Sequence, residues 1–187
     1  MIKHIFFAFA VFAQFAIIAA GPAEKIVVRE TGKVIRIRTA PVDPYCPMRG
    51  YYATLNFEIS TPPDYIFERH EDHAGKLIHT ILEKGDDGVW HAVGWKHRFP
   101  EDVAENQIII RGRETGREAQ PIRYGIEQYF LPEQHREQIE ARAAQAWRAQ
   151  RAGSTDAGQP VLADVAVDKQ GRASILRLII DDEVYEY

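Results

Sequence analysis

At 187 residues, with 45% apolar and 27% charged positions, the chain is long enough for one domain with a real core and too apolar for wholesale disorder. A formal net charge of −4 with no long basic run argues against a nucleic-acid partner and sets no demand for an acidic substrate. Cys46 is the single cysteine, so no intramolecular disulfide forms; it reads as a passive small apolar residue, with a reactive thiol or an intermolecular bridge as the alternative.

Met1-Ile-Lys-His is a short basic start, Ile5 to Ala20 is almost wholly apolar, and Ala19-Ala20-Gly21 offers a small-residue cleavage site. This three-part pattern marks residues 1–22 as a signal peptide or, uncleaved, a signal anchor. As a helix the run Ile5–Ala20 spans about 24 Å, short of the roughly 30 Å hydrocarbon core, and adding Gly21 to Ala23 nearly closes the gap. A buried core helix is disfavoured because every face is apolar. The pattern places residues 25–187 outside the cytoplasm as a single mostly-β domain. That domain is periplasmic, or anchored to the outer face of the cytoplasmic membrane, with membrane contact only through residues 1–22 if they are kept.

Lys25 to Arg29 reads as a short β-rich lead-in and Glu30-Thr-Gly32 as a turn. Lys33 to Thr39 alternates, with Ile35 and Ile37 on one face and Arg36 and Arg38 on the other, and predicts a strand. A loop locked by Pro41, Pro44 and Pro47 leads through Gly50 into a second strand, Tyr51 to Ile59, whose odd positions are apolar or aromatic and turn inward. Thr61-Pro-Pro-Asp64 stops it, and Tyr65 to Gly75 is irregular. Lys76–Glu83 and Val89–Trp95 form a hairpin about Gly85-Asp-Asp-Gly88. After a loop, Asn106–Arg111 is a buried strand. Residues 112–120 are charged and read as exposed, and Pro121–Phe130 is a strand with Ile122, Tyr124, Ile126 and Phe130 on one face.

Pro132 opens a helix to Arg151 with a narrow apolar stripe of Ile139, Ala143, Ala146 and Trp147, and residues 153–158 are a linker. Val161–Asp168 and Ala173–Ile180 form a second hairpin about Lys169-Gln-Gly171, and the acidic, aromatic end follows. The expected fold is mostly β (α+β): an antiparallel sandwich or partly open barrel of about eight strands, with one packed helix near 132–151 and an apolar leader helix.

Three blocks carry a family resemblance. Thr31 to Ser60 resembles the bacterial proteins named for a Gly-Asp-Tyr-x-x-Leu-x-Tyr motif, matching at Ala40-Pro-Val-Asp-Pro44, Arg49, Gly50, Tyr52 and Leu55. Ile109–Gly112 followed by Tyr124–Glu133, and the closing Val165–Ala173 hairpin, are similar to the same family in order and spacing. Tyr51 replaces the motif Asp, Phe57 the final motif Tyr, and Gln134-His135 stands where the family often turns through a glycine. The resemblance implies an envelope protein with an N-terminal membrane segment and one mostly-β domain, and implies no particular reaction.

The residues admit three chemistries. The first is a non-catalytic envelope module that binds a membrane-protein or other envelope partner, with no cofactor. Its candidate binding residues are Asp43, Arg49, Tyr52, Glu127 and Tyr129. The second is a hydrolase or ligand-processing enzyme using Asp43 and Glu127 as a carboxylate pair. Against it, Asp43 before Pro44 is a natural turn residue, and Glu127 is expected beside Arg38, Arg49 or Arg123. The third is a metal site of His70, His73 and His79, weighed against a solvated loop. Arg111-Gly-Arg-Glu-Thr-Gly-Arg-Glu118 mixes its charges and reads as a solvated loop.

Overall fold

The structure, a computed structural model, describes residues 2–40, 52–62, 74–117, 120–130, 161–180 and 182–186. It opens with one continuous helix, α1 (Ile2–Thr31, 30 residues), which passes through Pro22. The expected β-rich lead-in at Lys25–Arg29 is therefore helical, and Glu30 and Thr31 belong to the helix as well. β-propensity depends on the surface a residue packs against. Here the helical turn buries Val28 to 1% exposure and leaves Ile26 and Val27 in the open. The last turn closes with Gly32 N–H donating to Val28 O (2.9 Å) and Thr31 Oγ1 to Val27 O (2.8 Å).

The alternating Lys33–Ala40 segment forms β1, with Ile35 and Ile37 buried. The motif strand divides into β2 (Tyr52–Thr54) and β3 (Asn56–Phe57), then a 3-10 turn, Glu58–Ser60. The hairpin predicted about Gly85–Gly88 is present as β4 (Leu77–Lys84) and β5 (Trp90–Lys96), paired from Lys84↔Trp90 to His79↔Lys96. The strand β6 (Gln107–Glu114) runs past its expected end at Arg111. Residues 112–114 are thus not part of an exposed loop: Gly112 and Glu114 are buried, because β6 stays paired with β4 as far as Leu77↔Arg113.

Pro121–Phe130 is not one strand but β7 (Ile122–Arg123) and β8 (Gln128–Phe130), separated by a turn with Gly125 at φ +80°. Ile122, Tyr124 and Ile126 are buried as expected, but the turn shifts the parity so that Glu127 and Tyr129 are buried next. The closing hairpin is β9 (Leu162–Val167) and β10 (Ala173–Ile180), and the acidic end adds an unexpected edge strand, β11 (Glu183–Glu186), paired from Ile180↔Glu183 to Arg177↔Glu186. The expected helix near 132–151 and the 153–158 linker lie outside the described residues.

The strands make a five-stranded sheet, β11-β10-β9-β1-β3, a four-stranded sheet, β5-β4-β6-β7, and a ribbon, β2-β8. All strand pairings among the described residues are antiparallel, and the sheets form a sandwich rather than a closed barrel. Ile35, Ile37, Val165 and Leu178 from one sheet meet Ile78, Leu82, Ile110 and Ile122 from the other, with Leu55 and Phe57 in the same core. The motif strand joins the layers. It pairs with β8 through Tyr52↔Phe130 and Thr54↔Gln128, changes partner at Leu55, and pairs with β1 through Thr39↔Phe57. Ile59 O then accepts the Tyr124 hydroxyl (2.7 Å), which also meets Thr80 Oγ1 (2.8 Å). Burial pushes the Tyr124 phenol well above its ordinary pKa, so it stays protonated and works as a hydrogen-bonding strut.

Candidate binding groove

Five elements converge where α1 reaches the sandwich: the last third of α1, the Leu77 end of β4, the Arg111–Arg113 end of β6, β7 with the turn that follows it, and the tip of the β9–β10 hairpin. Between them lies a groove of about 370 Å³. Its charged lining is Lys25, Arg111, Arg113, Arg123 and Arg172, five cations against the single carboxylate of Glu24. The volume falls within the range of small-ligand sites.

Each wall has a local cause. At the hairpin tip, Asp168 Oδ1 accepts the Gln170 and Arg172 N–H groups (2.9 Å each) and Oδ2 accepts Arg172 Nε (2.6 Å), which fixes the arginine at the rim. Burial alone would raise the Asp168 pKa, but these bonds and the Arg172 charge hold it below the usual carboxylate range. Gly171 O accepts the Arg111 N–H (2.7 Å), so the hairpin tip adds to β6 beyond its pairing with β7. Helix α1 is tied in by Arg172 Nη1 to Glu24 (3.4 Å) and by Lys25 Nζ donating to Gly125 O (3.2 Å). Arg113 Nη1 donates to Gly75 O (3.0 Å).

Glu127, a sequence candidate, stands behind this wall at 2% exposure. Its carboxylate accepts the backbone N–H groups of Tyr124 and Gly125, the latter at 2.9 Å, and lies 4.0 Å from Arg123 Nε. It clamps the turn that carries Arg123. Even with Asp168 and Glu127 counted behind the wall, cations remain in excess. Guanidinium groups bind carboxylate or phosphate through paired N–H donors, so the groove is chemically suited to an anion.

The other sequence candidates that the structure describes do not line the groove. Tyr129, buried, donates its hydroxyl to Tyr185 O (2.8 Å), and Tyr52 sits opposite Phe130 in the β2-β8 ribbon, where Tyr129 pairs with Ala53 and Glu127 directly precedes β8. Asp43, Arg49, Cys46, His70 and His73 lie outside the described residues. His79 is buried on β4 with its ring edge-on to Phe99 at 5.3 Å, and no group of three metal-ligating side chains occurs among the described residues. Of the three bases expected beside Glu127, Arg123 lies there, Arg49 is outside the described residues, and Arg38 lies 3.6 Å from Asp87 and 3.8 Å from Glu58. The sequence names Arg123 as a candidate partner of Glu127 and sets Arg111 and Arg113 in a solvated loop, but it does not bring the groove cations together as a site. Their one local signal is the equal parity of Arg111 and Arg113, which places both on the same face of a strand.

Helix α1 carries Phe6, Phe7, Phe9, Phe12, Phe15, Ile17 and Ile18 at 68–76% exposure, and its Val11–Thr31 portion is long and apolar enough to cross a membrane, a test that signal sequences also pass. Fold and groove together define a β-sandwich domain docked on the end of an N-terminal apolar helix. The chain belongs to the GDYXXLXY protein family, whose model matches residues 14–178. Neither the curated proteins nor the solved structures contain a match.

Proposed function

We propose that this chain is a non-catalytic binding module of the cell envelope, held by α1 at the outer face of the cytoplasmic membrane, which docks an anionic membrane or envelope partner in the basic groove. The observation that carries the reading is the position of the groove: its cations surround the turn of α1 that follows directly on the apolar, exposed part of the helix. Lys3 at the start of α1 supports an inside start, since basic residues favour the cytoplasmic side. Glu127 as a turn clamp favours binding over the carboxylate-pair hydrolysis considered for Asp43 and Glu127, because both of its oxygens are engaged by the backbone.

The test is photo-crosslinking of the full chain in living cells. A photoreactive residue replaces Leu77 at the groove, or Val93, which is exposed on β5 and outside the groove lining. A discrete protein or lipid adduct from position 77, reduced by Arg113→Glu and absent from position 93, is the expected outcome. No adduct from position 77, or equal adducts from both, overturns the proposal.

A further inference from the structure

We propose that the groove binds the headgroup of an anionic phospholipid and so fixes the domain against the membrane surface. This names the partner class for the site above and rests on α1 being retained as an anchor. The first support is depth. Between Lys3 and Glu24, α1 is free of Asp, Glu, Lys and Arg, a length of about 30 Å that matches the hydrocarbon core. From Ala23 to Val28 the helix rises a further distance of about 7 Å, the thickness of one headgroup layer. Glu24, Lys25 and Val28 are the α1 residues that line the groove beyond Gly21, so the groove opens at headgroup height. The wider Val11–Thr31 span fits less well, because Glu24, Lys25 and Arg29 within it are tied to Arg172, Gly125 and Glu186 of the domain.

The second support is charge. The chain as a whole is at −4, yet five of its cations line this one groove. Arg111 and Arg113 offer guanidinium donors to a phosphodiester, and Lys25 adds a compact charge at the helix side. A zwitterionic lipid carries the same phosphodiester but offsets it with its own ammonium group, so the groove discriminates by net charge. Basic residues at the edge of a membrane segment are the usual means of holding anionic lipid.

The full chain, purified from membranes with α1 intact, is placed in nanodiscs of equal parts phosphatidylglycerol and phosphatidylcholine, and retained lipid is read by native mass spectrometry. Phosphatidylglycerol is expected to be retained in preference to phosphatidylcholine. Arg111→Gln with Arg113→Gln reduces its retention about tenfold, and Lys25→Gln, which leaves the β6 strand untouched, reduces it in the same direction. Lys84→Gln with Lys96→Gln removes the same charge from exposed positions outside the groove and leaves retention unchanged. Equal retention of the two lipids, or equal losses in the groove and control variants, overturns the proposal. Binding of inorganic phosphate to the groove without lipid preference assigns the site to a free anion and also overturns it. A protein adduct from position 77 without lipid retention removes the lipid while leaving the envelope reading in place; no adduct of any kind removes both.

Discussion

At Gly125 the backbone takes a left-handed φ of +80°, and two N–H groups at the turn find their acceptor in one side chain, that of Tyr124 in a buried place and that of Gly125 in a part-buried one. Glu127 supplies one oxygen to each. Glu127→Gln keeps the shape but sets an amide N–H₂ against one of those donors, so a destabilisation of about 2 kcal/mol is expected in urea unfolding. An unchanged midpoint would show that the turn does not need the carboxylate. Gly171 has a different constraint. Its φ is +77°, and an added Cβ would lie 3.1 Å from Arg111 N and 3.3 Å from Ile109 O. Gly171→Ala combines left-handed strain with backbone contact, so a loss of about 2 kcal/mol is expected, together with weaker exchange protection of the Arg111 amide. Wild-type protection of that amide in the variant would show that the hairpin tip does not depend on a bare Cα.

Across β1, β9 and β10, one acid joins three strands. Asp164 is buried and accepts Arg36 Nε (2.7 Å) and Nη2 (3.1 Å) from one neighbour strand and Arg177 Nε (2.7 Å) from the other. Burial alone would raise its pKa, but the two guanidiniums outweigh burial and hold it below the usual carboxylate range. A depressed folded-state pKa contributes stability that is present above the unfolded value of about 3.9 and is lost as pH falls through the folded value. Asp164→Asn should cost about 2 kcal/mol at neutral pH, no more than that because both guanidiniums are part-exposed and regain water. Stability profiles should converge below about pH 4, where the wild-type acid loses its advantage. Parallel profiles across that range would show that Asp164 contributes nothing through its charge. This ladder was half legible in the sequence, since Arg36 was placed on the face opposite Ile35 and Ile37 but its partner was not. The two hairpins were legible because alternation and turn residues are local. The single strand expected at Pro121–Phe130 broke because Glu127 caps a turn that period-two alternation does not register. β11 was missed because a short acidic edge strand gains its stability from pairing with β10 rather than from its own composition.

For the molecule as a whole, the informative joint is between α1 and the sandwich. The apolar leader was legible from the sequence because composition alone marks it. The groove was not, because its cations lie between positions 25 and 172 and meet only through the docking of α1 and the hairpin tip. Val28 is the apolar contact of that docking, 1% exposed yet separate from the inter-sheet core. Its burial is worth about 1.5–3 kcal/mol, less than the cost of burying a lone carboxylate in its place, so Val28→Asp should release the end of α1 rather than accept a buried charge. The sandwich, whose core does not include Val28, should keep its cooperative melt in the variant. Limited proteolysis should cut near Gly32 much faster than in the wild type, and anionic-lipid retention should fall because Lys25 leaves the groove. If the melt instead collapses, α1 is an integral layer of the domain. If neither cleavage nor retention changes, Val28 is not what docks the helix.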